Sequence, residues 1–128
     1  MRPTDIRLHK KSNTLEVSFQ DGTSGTLSAE FLRVHSPSAE VQGHGRPILQ
    51  TGKKAVRLTG LEPVGNYAVK LIFDDGHDSG LFHWELLYEF VRDQAALWQR
   101  YLDQLEAAGA SREATGASGA VGFDPDSA

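Results

Sequence analysis

A chain of 128 residues has room for one domain, and 39% apolar with 23% charged residues places it among globular rather than disordered sequences. The absence of cysteine excludes disulfides, thiol catalysis and cysteine-bound zinc or iron–sulfur clusters, and a net charge of −4 argues against a general nucleic-acid binder. The opening MRPTDIRLHKK lacks an apolar h-region, and no apolar run approaches the ~20 residues that span a bilayer, so a cytoplasmic protein with no membrane role is expected.

Period-two alternation begins at residue 5. Ile6 and Leu8 share one face, as do Leu15, Val17 and Phe19, which predicts two strands joined by a turn at Lys11, Ser12 and Asn13. Gln20, Asp21 and Gly22 form the next turn, and residues 23–27 a short return strand. Ser28 is placed to cap a short helix through Leu32 and Val34; Phe31 stands where a capping box would need Glu, so a single cap bond is expected.

Residues 35–54 have little periodicity, and long irregular loops in small domains are often functional. AVRLT at 55–59 alternates again, LEPVGN at 61–66 reads as a turn, and YAVKLIF at 67–73 is the strongest strand signal. From His83 to Ala107 the period becomes helical, with Trp84, Leu87, Val91, Trp98, Leu102 and Leu105 on one stripe. Beyond Gly109 the composition cannot offset its ordering entropy, so a disordered tail over 109–128 is expected. FQDGTSGTL at 19–27 and FDDGHDSGL at 73–81 match as strand end, Asp-Gly turn and return strand, which suggests two ββα units.

Chemistry concentrates in FDDGHDSGLFHWE at 73–85, where His77 and His83 accompany Asp74, Asp75 and Asp78. Two histidines and a carboxylate suit non-haem iron, but an Asp beside a tight turn commonly bonds nearby backbone, and the structural role is the commoner one. Ser36, Ser38 and Ser79 have no nucleophile elbow, and Gly43, His44, Gly45 and Arg46 lack phosphate-loop spacing. Arg33, Arg46, Lys53, Lys54 and Arg57 are candidates for a local basic patch, with Arg33 and Arg46 as partner contacts.

The motifs SPSAEVQGHG and GNYAVKLIFDDGHDSGLF, within a similarity running from Asp5 to Asp103, resemble the gamma-butyrobetaine hydroxylase-like N-terminal domain family. The resemblance implies a domain over 1–108 of the kind found as small stand-alone bacterial proteins of undefined function. Related domains precede the catalytic domain of gamma-butyrobetaine and trimethyllysine dioxygenases, or are appended to P-loop scaffold proteins of iron–sulfur assembly. In the dioxygenases this domain binds zinc through three cysteines and a histidine. Those positions correspond here to Ser36, Ser38, Val41 and His77. Serine is a poor zinc ligand and valine none, so a Cys3His zinc site is expected to be absent. The resemblance also sets the 36–41 loop beside His77.

The resulting expectation is an α+β domain with a mostly antiparallel sheet, a short helix, a long C-terminal helix and a disordered tail. Its function is expected to be that of a non-catalytic accessory domain binding a protein partner in trans, linked to iron or iron–sulfur metabolism. The alternative is a metal-binding protein holding iron or zinc through His77 with His44 or His83 and Glu40; an enzyme of unrecognised chemistry ranks third.

Overall fold

The computed structural model describes residues 2–37, 49–76 and 78–113 of the chain. Strands β1 (Pro3–His9), β2 (Thr14–Phe19) and β3 (Ser24–Ser28) precede helix α1 (Ala29–Val34); β4 (Leu58–Val64), β5 (Ala68–Phe73) and β6 (Asp78–His83) precede helix α2 (Trp84–Ala107). The strands form two antiparallel three-stranded sheets, ordered β1-β2-β3 and β4-β5-β6. The expected α+β architecture is therefore observed, with the antiparallel strands divided between two sheets.

The two halves repeat each other more fully than the sequence match suggests, since each is a βββα unit. Gly22 and Gly76 adopt nearly the same left-handed φ, +91° and +87°, at the matching turns. Glycine accepts that conformation without a Cβ penalty, which is why both hairpins carry Asp-Gly. Asp21 also braces the first turn. Its carboxylate accepts from the Thr23 amide at 2.9 Å and from the Tyr88 hydroxyl at 2.7 Å.

The central strands supply the core. Leu15, Val17 and Phe19 from β2 and Val69, Leu71 and Phe73 from β5 are buried together with Leu27, Phe31, Leu32, Phe82, Leu87 and Phe90. Alternation along the strands and a helical stripe on α2 direct these side chains into one shared core. α2 lies so close to β3 that a Cβ on Gly25 would come within 3.0 Å of Val91 Cγ1. On the predicted stripe Leu87 and Leu105 are buried, whereas Phe90 and Tyr101, outside it, are buried too.

The fourth strand lies further along the chain than its sequence signal at 55–59. β4 runs over Leu58–Val64 and the turn occupies 65–67, so the expected turn at 61–66 is largely strand. Pro63 explains the misreading. It looks like a strand breaker, but β4 is an edge strand, where a missing N–H need cost no ladder bond. Val56 and Leu58 are buried, as their alternation implies.

Asn13 joins the halves. It adopts a left-handed φ of 61° in the β1–β2 turn. Its side-chain amide donates to the Val56 carbonyl and its Oδ1 accepts from the Leu58 amide, both at 2.9 Å. Its own carbonyl accepts from the Ala29 amide at 3.0 Å. One turn residue thus ties β2, the start of α1 and the start of β4 together.

α1 begins as expected, with the Ser28 hydroxyl accepting from the Phe31 amide at 3.0 Å. α2 ends at Gly109, whose φ is +65°. The Gly109 amide donates to the Glu106 carbonyl and the Ala110 amide to the Leu105 carbonyl. Those two bonds are the Schellman pattern, which turns the chain back. The expected tail boundary at 109 is consequently too early. Residues 111–113 return across the domain, where Gly52 and Lys54 donate backbone bonds to the Ser111 and Arg112 carbonyls. Arg112 grips buried Glu30 through two bonds of 2.9 and 2.8 Å and lies 5.1 Å from the centre of the Trp98 ring. The rest of the expected tail lies outside the described residues.

Replacing Asn13 removes two bonds to backbone groups and places a Cβ-bearing residue with no side-chain anchor at positive φ. Asn13→Ala is expected to lower stability by about 2–3 kcal/mol in urea unfolding. Arg112→Ala leaves the Glu30 carboxylate without its cation and should cost about 1–3 kcal/mol by the same measurement. A neutral effect of Arg112→Ala would mean that residues 111–113 do not stabilise the domain.

Candidate functional site

The polar residues singled out from the sequence meet around the end of α1. Arg33, in the last turn of α1, is 2% exposed. Its Nε donates to Asp75 Oδ2 at 2.9 Å and its Nη1 to Gln50 Oε1 at 3.3 Å. Lys53 Nζ reaches the same Asp75 oxygen at 3.2 Å. Two cations from different segments therefore converge on one hairpin carboxylate. Burial of such a group is tolerable only with this kind of pairing. Arg33 was expected as a partner contact; it is instead an internal ion, because its guanidinium is the counter-charge of Asp75.

Lys54 and Arg57, the other described basic candidates, are also engaged. Lys54 pairs with Glu113 at 3.0 Å. Arg57 donates through its guanidinium to the Lys10 carbonyl, and its amide to Asp74 Oδ1 at 2.9 Å. Both turn aspartates make contacts across the domain. Asp74 bonds the Arg57 backbone and Asp75 binds cations.

Ser36 follows the C-cap His35 and is fully buried. The Arg33–Asp75 bond brings the end of α1 to the β5–β6 hairpin. His77, His44, Glu40, Ser38, Val41 and Arg46 lie outside the described residues. His83 is described, and it stands at the end of β6, paired with Ala68, while Asp78 at the start of the strand pairs with Ile72. Five steps of a strand span about 17 Å, so His83 is remote from the turn. Its exposed ring stacks on Tyr67, with centroids 5.5 Å apart. Among the described residues no group of three His, Asp or Glu side chains is arranged to hold a metal ion.

The sequence reading passed over His35. Its Nδ1 lies 2.8 Å from the Phe31 carbonyl, and its ring packs 4.4 Å from Phe31 and 5.7 Å from Phe90. Burial, reinforced by the nearby Arg100 charge, lowers its pKa from the ordinary 6.5, while the bond to the Phe31 carbonyl opposes that shift. Tyr101 lies 6.3 Å away, ring to ring, and its hydroxyl donates to Glu30 at 3.4 Å. Burial, with the Glu30 charge, pushes that phenol up to about 12. No short motif marks these residues, and a single histidine after a helix has no distinctive spacing.

The family model for gamma-butyrobetaine hydroxylase-like proteins, N-terminal, matches residues 6–88. The chain belongs to that family. A protein solved by solution NMR is 57% identical, with 88% of this chain and 90% of that chain covered and a TM-score of 0.80. A second NMR structure is 53% identical over 96% of this chain and 92% of its own, with a TM-score of 0.76. A crystal structure of a protein of unknown function from Acidithiobacillus ferrooxidans, of the DUF971 family, is 39% identical over 70% and 92%, with a TM-score of 0.60. No curated protein matches the chain. Among the described residues no helix of this family member is long and apolar enough to cross a membrane.

Two outcomes test the site. Asp75→Asn should cost about 2–4 kcal/mol, because it leaves the Arg33 charge buried, and Arg33→Met combined with Asp75→Asn should recover part of that loss in a double-mutant cycle. For His35 the folded pKa lies below the unfolded one. Its contribution is full above pH 6.5 and is lost as pH falls through the folded value. His35→Asn, which can retain a donor to Phe31, should flatten the fall in melting temperature that wild type shows below pH 6.5.

Proposed function

We propose that this family member is a non-catalytic accessory domain that binds a protein partner in trans, in iron or iron–sulfur handling. The observation that carries this reading is a pairing of name and size. The matching family is described as the N-terminal part of a hydroxylase-like protein, yet the chain spans 90% and 92% of two solved relatives, which are themselves of domain size. A region named for its place before an enzyme thus matches solved chains that extend little beyond it. The engagement of Arg33, Lys53 and Asp75 with one another also favours a rigid scaffold at this corner.

The family's zinc chemistry does not fit the residues present. Ser36 replaces a thiolate with a fully buried hydroxyl, and valine at 41 has no donor atom. The second reading, a metal site built from His77, His44 and Glu40, draws support from the Arg33–Asp75 bond, which ties the end of α1 to the β5–β6 hairpin.

Tag-free protein analysed for metal after dialysis, and used to capture partners from its native host, distinguishes the two. The accessory reading expects less than one-tenth of an equivalent of zinc or iron, roughly, and a stoichiometric co-purifying protein. One retained equivalent of metal, with a melting temperature that drops on adding chelator, would overturn it in favour of the metal reading.

A further inference from the structure

A groove of about 580 Å³ runs between the end of α1 and one side of α2. Its apolar walls include Val34, Leu49, Leu86, Phe90 and Leu97, and its polar groups are His35, Gln50, Glu89, Arg100, Tyr101 and Gln104. The volume lies within the range of roughly 300–1,000 Å³ typical of small-molecule sites, which likewise combine apolar walls with few polar groups.

His35 and Arg100, which both line the groove, lie close enough for the Arg100 charge to act on the imidazole. A backbone carbonyl can only accept, so the 2.8 Å contact with Phe31 places the imidazole proton of His35 on Nδ1. Nε2 is left as an acceptor, on a ring already oriented by Phe31 and Phe90. Arg100 is exposed, and among the described residues no carboxylate pairs with it. Gln104 lies one helical turn beyond Arg100, on the same face. Glu89 precedes Arg100 by about 16 Å of helix rise, well beyond the screening length of about 8 Å, and Asp103, three residues after Arg100, accepts from Gln99, so neither carboxylate is paired with the Arg100 guanidinium.

We propose that this groove binds a small organic carboxylate that carries an apolar body and a hydroxyl donor. Arg100 holds the carboxylate, His35 Nε2 accepts from the hydroxyl, and Phe90 with Leu97 covers the apolar body. The site adjoins the Arg33–Asp75 corner through Gln50, which lines the groove and accepts from Arg33 Nη1, and it does not depend on a protein partner.

The test is titration of full-length, isotope-labelled protein with 4-hydroxyphenylacetate, followed by amide and side-chain NMR shifts. Its methyl ester, phenylacetate and tyramine serve as comparators. Saturable shifts at residues 34–35 and 97–104 are expected, with a Kd near or below about 1 mM. The ester and Arg100→Gln should each weaken binding roughly tenfold, through loss of the charge-assisted pair. His35→Phe should abolish the preference for 4-hydroxyphenylacetate over phenylacetate. The proposal is overturned if the ester or tyramine binds as well as the acid, if shifts fall elsewhere, or if no saturation appears by about 10 mM. Should a variant lose its fold, the acid–ester comparison on wild type still decides.

Discussion

Helix α1 is six residues long, yet it carries two buried charges of opposite sign, Glu30 and Arg33. Neither can be left alone in a core, because an unpaired buried ion costs several kcal/mol. Each is met by a group distant in sequence. Glu30 meets Arg112, 82 positions away, and Arg33 meets Asp75, 42 positions away. These two pairs decide where the C-terminal segment and the second hairpin must lie relative to the first half. A helix so short has little stability of its own, so its position depends on them as much as on Phe31 and Leu32.

The rest of the architecture is compatible with that constraint. Two βββα halves pool their central strands and helices into one core, and Asn13 supplies a neutral clamp between them. The repeat accounts for matching turns, but the halves diverge in their helices. α1 is short and ionic, whereas α2 has 24 residues and departs from helical geometry at Asp93, beyond which Trp98 and Tyr101 reach back toward α1. The ends of the two helices thereby frame a groove whose chemistry differs from that of the hairpin corner.

The candidate site was legible in part. Asp74 and Asp75 stood out as turn carboxylates, and their structural use follows from where strands end. Arg33 was misassigned because a sequence carries no signal for which charge will be buried; only the approach of the hairpin removes it from water. His83 was grouped with His77 by proximity in sequence, but an extended strand separates neighbours by about 3.3 Å per residue. His35 drew no notice, since its importance lies in the rings of Phe31 and Phe90 around it.

Local order was determined by the sequence alone. The strands at β1, β2, β3 and β5, the Ser28 cap, the Asp-Gly turns and the long amphipathic helix are each encoded within a few residues, by periodicity or by a backbone preference. The family, too, was legible from contiguous motifs. The tertiary structure decided the edge position that lets Pro63 lie within a strand, the return of residues 111–113 onto α1, and the burial of Arg33. Those outcomes depend on desolvation and pairing between groups tens of residues apart. No local pattern encodes which distant charge will arrive.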